Sequence, residues 1–534
     1  MATILLQAAG AYLGGLLGPI GSAIGTAAGA LAGYAVDRAL LNGSNRIEGA
    51  RLAGARPFTA EEGVPLPRLY GTARLGGILI WATRFEESRS TRRQGKAGPK
   101  VSEYSYYANA AFALCEGEIA GVRRIWADGR EIDRESVELR VYQGSRDQLP
   151  DPLIEAKQGA GNTPAYRDVA YVVVERLPLG EYGNRIPQLQ FEVLRPVGNF
   201  SKAVKAVALL PGSTEYGLSP TLVTRQIRPG ENRPVNRNVL FAGTDIAASL
   251  DELQATCPNL ENVALIVAWF GDDLRAGHCK IRPAVTTNNG GGLSSAWRVT
   301  GLERGNAPVV SSYDGGPAYG GTPSDRSVME AIAEIKARGL GVTLYPLIMM
   351  DIAEGNTLPD PEGGSFQPPY PWRGRITCDP APLQPGTADR SGLARLQVEA
   401  FCGAAHPGEF SARSDTIVFS GVANDWGYRR FILHYAHLAV AAGGVDAFLL
   451  GSELRGLTTL RDEAGSFPFV EALCSLAADV RSVVGPATKL TYGADWSEYF
   501  GHHPQDGSGD VYFHLDALWM HPAITAVGID NYMP

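Results

Sequence analysis

Glu453 is the carboxylate best placed by its sequence position to do chemistry. It follows a short apolar run at residues 447–450 and the pair Gly451-Ser452. An apolar run this short, entered from a helix, is typical of a buried parallel strand. In β/α barrels the carboxyl ends of the strands carry the reactive groups. The pattern therefore places Glu453 at the reactive end of the predicted sheet, where a general acid would need a raised pKa and a partner carboxylate.

Other acidic and aromatic residues also fall at predicted strand ends. We interpret the acidic ones as groups that bind substrate hydroxyls or orient Glu453, rather than as nucleophiles. Trp372 and Trp519 are further aromatic residues expected near the same opening, with core packing as the equal alternative for each tryptophan. Glu453 has its own alternative, a structural carboxylate paired with Arg455 or Arg429. The predicted substrate-binding set is Asp495, Trp496, Glu498, Asp530, Tyr532 and Trp426.

Histidine and cysteine spacings suggest neither a metal site nor a cofactor. His434, His514 and His521 lie in no metal-binding motif, so we interpret them as packing or hydrogen-bonding residues. The six cysteines are scattered without a CxxC pair, which favours buried free thiols.

Helices and strands alternate through the second half of the chain, which predicts βα units around a parallel sheet. The helix at 428–442 places apolar residues on one face and ends at Gly443-Gly444. A Pro/Gly-rich stretch at 354–391 lacks periodicity and is expected to form a long loop over the barrel mouth. The remaining predicted elements are helices at 245–256, 324–337 and 468–484, and strands at 262–270, 341–350, 446–454, 489–499 and 526–533.

The segments 434–436, 445–446, 451–454, 491–496 and 527–532 resemble the TIM barrels of mannanase-type retaining glycoside hydrolases. They are more similar still to the TIM-barrel-like domain in tail-tip proteins of gene transfer agents and related phages. The resemblance implies that Glu453 ends the fourth strand as general acid/base, with a nucleophile on a seventh strand. The sequence stops at Pro534 after a sixth strand, so we expect this fragment alone to bind sugar weakly and to hydrolyse nothing measurable.

The first half of the chain is predicted to be rich in β-structure. Residues 76–83 and 105–114 read as paired strands, residues 86–103 as an exposed hairpin loop, and Asp128-Gly129 as a hairpin turn. A set of short motifs in this region is similar to the hub region of siphophage tail-tip proteins. These motifs occupy residues 61–71, 115–119, 125–129, 142–145, 164–168, 177–180 and 191–194.

The hub resemblance implies a homotrimeric ring of β-barrels around a tail axis, continuing the tail tube. Its expected partners are the distal tail protein, other tail-tip hub proteins, a host surface polysaccharide and translocated DNA bound without sequence specificity. The expected location is the tail tip of a virion-like particle made in the cytoplasm. The competing interpretation is a free retaining glycoside hydrolase with an N-terminal β accessory domain.

The N-terminal segment has no charged side chain between Met1 and Val36. Gly21, Gly25, Gly29 and Gly33 recur every four residues and would line one helical face that permits close packing. One interpretation is a small-residue helical hairpin inside an assembly. The other is a segment at residues 3–41 that contacts a host membrane, since about 20 apolar residues suffice to span one. The missing basic region argues against a signal peptide.

Composition fits a globular, multidomain protein. The chain has 534 residues, 45% hydrophobic and 19% charged, and a net charge of −8 that argues against a surface coated by nucleic acid. We divide it into an apolar segment at 1–42, a β-rich hub domain at 43–203, a connector at 204–240 and a barrel at 241–534. The predicted fold is multidomain α+β and α/β, with N-terminal Gly/Ala-rich helices, a β-barrel hub and a partial (β/α)8 TIM-like barrel ending after about the sixth strand.

Overall fold

The computed structural model describes residues 65–93, 100–212 and 214–532. The predicted apolar segment at 1–42, with its four spaced glycines, lies outside the described residues. Within the described ranges, no helix is long and apolar enough to cross a membrane.

The strands follow one another in this order: β1 (Gly71–Gly76), β2 (Ile78–Ala82), β3 (Glu86–Arg93), β4 (Lys100–Glu116), β5 (Gly121–Ala127), β6 (Arg130–Ile132), β7 (Glu138–Tyr142), β8 (Val169–Pro178), β9 (Leu189–Arg195), β10 (Ala206–Leu209), β11 (Thr224–Arg228), β12 (Glu231–Pro234), β13 (Asn262–Gly271), β14 (Ile281–Arg282), β15 (Arg298–Val299), β16 (Leu302–Glu303), β17 (Ser312–Tyr313), β18 (Gly316–Pro317), β19 (Gly341–Met350), β20 (Phe410–Arg413), β21 (Thr416–Phe419), β22 (Ala447–Ser452), β23 (Lys489–Asp495) and β24 (Gly528–Asp530).

The α-helices are α1 (Pro152–Gln158), α2 (Phe200–Ala203), α3 (Asp245–Thr256), α4 (Asp325–Ala337), α5 (Gly392–Cys402), α6 (Tyr428–Ala441), α7 (Arg455–Thr458), α8 (Pro468–Val484), α9 (Trp496–Tyr499) and α10 (Asp516–Trp519).

Two antiparallel sheets make up the β-rich part of the chain. One has the order β1-β9-β5-β6, and the other the order β2-β4-β8-β7 with β3 also pairing to β4. Alternate residues of the two sheets enter one shared core, which includes Phe112, Val172 and Phe191. The predicted hairpin turn is confirmed, since Asp128 and Gly129 both have positive φ between β5 and β6.

The predicted exposed loop at 86–103 is wrong in one respect, because strands continue into it. β3 and β4 pair from Glu86 opposite Tyr107 out to Arg93 opposite Lys100. The polar composition suggested a loop, but backbone hydrogen bonds can extend a two-stranded ribbon past the core whatever its side chains are. Glu87, Ser88 and Arg89 are accordingly exposed on this ribbon.

Six parallel strands form a curled sheet in the second part, in the order β10-β13-β19-β22-β23-β24. This is the predicted partial TIM-like barrel. The first strand differs from our expectation, because β10 lies in the predicted connector and pairs with the start of β13. With β10 counted, β19 is the third strand and β22 the fourth, so Glu453 follows the fourth strand as the resemblance implied.

Two of the predicted strands are shorter than expected. β23 ends at Asp495 because that side chain accepts the Ser497 N–H at 2.9 Å, while Glu498 accepts the Asp495 N–H, a reciprocal capping box that starts α9. β24 pairs with β23 over three residues only. Local side-chain capping thus overrides the apolar pattern that suggested longer strands.

A buried polar cluster joins helix α4 to helix α6 and strand β21. Asp325 and His434 are fully buried, with Asp325 Oδ1 and His434 Nε2 at 2.9 Å. The other oxygen, Asp325 Oδ2, accepts the Thr416 hydroxyl at 2.7 Å and the Ile417 N–H at 2.9 Å. This places His434 in the hydrogen-bonding role that its sequence context indicated.

Replacing Asp325 with alanine should lower the free energy of unfolding by about 3 kcal/mol, since three buried polar groups lose their partner. Urea unfolding followed by circular dichroism would measure the change. Asp510→Ala removes an exposed aspartate and serves as the matched control. Equal stability of the two variants would contradict a structural role for the cluster.

Candidate functional site

A bulge at the end of β22 sets the direction of Glu453. The register between β22 and β23 shifts between Leu449 and Ser452. Gly451 lies in this bulge with φ +122°, and a Cβ there would overlap the Tyr428 hydroxyl. That hydroxyl donates to the Leu450 carbonyl. Only glycine fits this position, and bulges of this kind commonly re-aim a side chain next to a functional site.

Glu453 itself has positive φ, +53°, which is uncommon for a residue with a side chain. Its N–H donates to the Gly493 carbonyl at 2.8 Å, which fixes this conformation against β23. The side chain is buried, with 3% of its surface exposed. The turn therefore directs one carboxylate into the top of the parallel sheet instead of along the strand.

Both oxygens of Glu453 are occupied by donors. Oε2 accepts the Trp372 indole N–H at 2.6 Å and lies 2.9 Å from a guanidinium nitrogen of Arg373, while Oε1 accepts the Tyr532 hydroxyl. Arg373 also donates to the Ser452 carbonyl at 2.9 Å. The long loop predicted over the barrel mouth supplies two of these groups.

The ion-pair partner of Glu453 differs from the two that we weighed from the sequence. Arg429 pairs with Asp479, and the side chain of Arg455 is exposed. The partner is Arg373, eighty positions earlier in the chain. Helical and strand spacing could suggest only neighbours in sequence, whereas the loop brings its arginine across the sheet.

Asp530 completes a pair of carboxyl groups at this end of the sheet. It ends β24 and accepts the Tyr345 hydroxyl at 2.8 Å. Burial raises the pKa of Asp530, and the nearby Glu453 raises it further. Two adjacent carboxyl groups, one of which has a raised pKa, are an arrangement suited to proton transfer.

Four of the six predicted substrate-binding residues lie away from Glu453 or face inward. Asp495 and Glu498 cap helix α9 and are buried. Trp426 packs against Trp269 and the guanidinium of Arg430. Trp496 is 56% exposed. Asp530 and Tyr532 are the two that the fold brings to Glu453, and all six functional roles stay predictions.

Trp496 and Tyr499, the first and last residues of helix α9, are both largely exposed. The groups that enclose Glu453 are Trp372, Arg373 and Tyr532. Arg373 and Tyr345 were absent from the predicted site. Two sequence features could have pointed to these residues. One is the Trp372-Arg373 pair in an otherwise Pro/Gly-rich loop, and the other is the tyrosine on the third strand.

A buried network supports the backbone immediately after Glu453. The Tyr492 hydroxyl accepts the Leu454 N–H at 2.7 Å and donates to Glu498 at 3.1 Å. Thr458 also donates to Glu498, at 2.7 Å. Burial raises the pKa of Glu498 to about 7. Through Tyr492, Glu498 thus helps to hold the turn that carries Glu453.

The described part of the chain contains no group of three or more His, Cys, Asp or Glu residues arranged to hold a metal ion. The side chains gathered at this site are carboxyl, phenol, indole and guanidinium groups.

Comparison with known proteins relates the chain to two groups. Residues 426–534 match the family model of the GTA TIM-barrel-like domain. A chain in the virion of a native gene transfer agent (GTA) particle is 41% identical, over 39% of this chain and 44% of that chain, with a TM-score of 0.25. The chain thus spans less than half the length of that virion chain.

Structures of GH113 β-1,4-mannanases are also similar, at low identity. One, a complex structure, is 15% identical over 52% of each chain with a TM-score of 0.25. The Alicyclobacillus acidocaldarius β-mannanase in complex with ManMIm is 16% identical, over 47% of this chain and 48% of that chain, with a TM-score of 0.22. No curated protein sequence matches the chain.

The Glu498 network predicts a pH-dependent stability. Because the folded-state pKa of Glu498 is raised from 4.5 to about 7, folded protein holds this proton more tightly than unfolded protein does. The protonated Glu498 side chain therefore stabilises the folded protein. This contribution is fully present below about pH 4.5 and is lost as the pH rises through 7.

We expect Tm to fall more between pH 5 and 8 in the unsubstituted protein than in Glu498→Gln, which cannot ionise. Each pKa unit corresponds to about 1.4 kcal/mol. Differential scanning fluorimetry across this range measures the difference, with Glu463→Gln, an exposed site, as control. Parallel Tm profiles for all three proteins would show that Glu498 does not titrate there.

Proposed function

We propose that this chain is a structural tail protein of a gene transfer agent or related phage-like particle, because residues 426–534 match the family model of the GTA TIM-barrel-like domain. The observation that carries the proposal is this family match, which includes Glu453, Asp530 and Tyr532. The 41% identity to a virion chain supports it. A structural role also accounts for a large antiparallel β-region joined to a barrel-like sheet.

The finer proposal assigns the β-rich part to a tail-tip hub. Its short motifs are similar to hub regions, and its two sheets share one core that could form a ring wall. We infer three copies around the tail axis, in contact with the distal tail protein and other hub proteins, with DNA passing through without sequence-specific contacts. Residues 3–41 would contact a host membrane during delivery, a proposal that rests on their sequence.

The barrel site is proposed to bind a host surface glycan. Glu453 is held by Trp372, Arg373 and Tyr532, so its carboxylate has a fixed position from which to orient a sugar hydroxyl. Tyr532 is 66% exposed and Trp372 is 38% exposed, which leaves aromatic surface for a sugar ring.

Hydrolysis is the second candidate function, and Asp530 is the observation that favours it. Its raised pKa suits a proton donor, while Glu453 next to it is fixed by an ion pair. This division reverses the role expected from sequence, in which Glu453 was the acid. The alternative of a free retaining glycoside hydrolase shares this chemistry and differs in where the protein is found.

Purified particles test the structural proposal. Antibody raised against residues 104–212 should label one end of the tail in electron micrographs, and averaged images should show three copies. Peptides of the chain should copurify with particles through a density gradient. Recovery only from the secreted, particle-free fraction would instead favour the free hydrolase.

Glu453→Gln tests the glycan site in the full-length protein. The substitution keeps the shape of the side chain but removes the charge facing Arg373. We expect binding to host-envelope polysaccharide to weaken about tenfold, in line with the loss of a charge-assisted hydrogen bond. If the full-length protein also hydrolyses the glycan, its rate should fall by about 10² to 10⁴-fold.

Glu463→Gln is the matched control, ten residues further on and exposed. Calorimetric binding measured well below the Tm of each variant would separate a site effect from unfolding. Unchanged affinity and turnover in Glu453→Gln would exclude Glu453 from the site.

A further inference from the structure

A pocket of about 510 Å³ adjoins the Glu453 site and is not explained by it. Trp372 is common to both, because its indole N–H reaches Glu453 while the residue also lines the pocket. The remaining walls come from the loop after Trp372, from helix α7 and from residues 502–506. Pockets of 300–1,000 Å³ are typical of small-ligand sites.

Two of the segments that line this pocket, helix α7 and the turn at Arg373–Arg375, pack closely against each other through their backbones. A Cβ on Gly456 would lie 2.4 Å from the Ile376 carbonyl oxygen and 2.9 Å from that of Gly374. Glycine at 456 therefore lets helix α7 approach the turn at Arg373–Arg375 closely. The pocket and the Glu453 carboxylate are consequently positioned by the same two segments.

Four arginines line the pocket, and two of them are neutralised by neighbouring carboxylates. Arg461 lies 3.3 Å from Asp389 and 3.2 Å from Asp506, and Arg390 lies 3.5 Å from Asp506. These ion pairs account for both aspartates of the lining.

Arg375 and Arg455 have no carboxylate partner and no side-chain hydrogen bond among the described residues. The third acidic residue of the lining, Glu362, is exposed and has no ion pair there either. The excess charge is thus positive and is concentrated where helix α7 meets the loop. Arg455 is only two residues after Glu453.

His502 adds no charge on this wall near neutral pH. Burial lowers the pKa of His502 to about 4, and the guanidinium groups of Arg461 and Arg455 contribute to the lowering.

We propose that this pocket binds the acidic group of an anionic sugar, a carboxylate or a phosphate, through Arg375 and Arg455. The ring of this acidic sugar would lie against Trp372, and the next sugar of the glycan would reach Glu453. The inference rests on the proposed glycan-binding function and narrows its substrate class from surface glycans in general to acidic ones.

Guanidinium groups suit this task because their planar N–H donors match the oxygens of a carboxylate or phosphate. The paired aspartates hold Arg461 and Arg390 in place, whereas Arg375 and Arg455 remain available. A neutral sugar would leave both unpaired, so the pocket should discriminate by charge as well as by shape.

The inference is tested by measuring how purified host-envelope polysaccharide binds to the full-length protein. Three preparations of the polysaccharide are compared: native, carboxyl-reduced and dephosphorylated. We expect the native form to bind at least tenfold more tightly than one of the modified forms, which identifies the acidic group. Arg455→Gln should weaken native binding about tenfold and leave binding of that modified form unchanged. Arg413→Gln, at an exposed arginine without an ion pair, is the matched control and should have no effect.

The outcomes separate the two proposals. Equal binding of all three forms, unchanged in Arg455→Gln, would overturn the acidic pocket while the glycan-binding function stands. Failure of every form to bind would overturn both. Tighter binding of single-stranded DNA than of any polysaccharide, lost in Arg455→Gln, would overturn the inference in favour of a nucleic-acid phosphate site. Glu453→Gln should weaken the binding of native and modified polysaccharide alike. This result would distinguish the Glu453 carboxylate from the arginine pocket, because only the pocket should respond to the acidic group.

Discussion

The ion pair between Glu453 and Arg373 ties the long loop of the barrel to the end of its fourth strand. Both side chains are almost wholly buried, so neither charge can be left alone without a large cost. This contact is positioned by three features: the bulge at Gly451, the positive φ of Glu453 and the course of the loop. A change in any of them would move the carboxylate.

Around that ion pair the site has two layers with separate tasks. The inner layer consists of Glu453, Asp530 and the aromatic groups that touch them. The outer layer consists of Tyr492, Thr458 and Glu498, which hydrogen-bond to the turn and to one another. Glu498, which the sequence suggests as a binding residue because it follows a strand, is buried within this outer layer.

The two parts of the chain use sheets in different ways. The antiparallel sheets of the β-rich part enclose a core and extend a ribbon outward, a geometry suited to contacts with other subunits. The parallel sheet gathers strand ends from distant parts of the chain at one edge, which suits a binding site. A tail protein that must both assemble and recognise a surface would use both.

Sequence by itself determined five of the six parallel strands, their helices and the position of Glu453 at the end of one of those strands. Apolar runs, helical periodicity and Gly signals are local properties that each segment carries without its neighbours. It also located the Asp128-Gly129 turn, because few residue pairs adopt that conformation. Tertiary structure alone decided that Arg373 pairs with Glu453, that Tyr345 meets Asp530 and that unpaired arginines share a pocket. Those contacts join residues 80 to 185 positions apart, and nothing in local spacing encodes how a loop crosses a sheet.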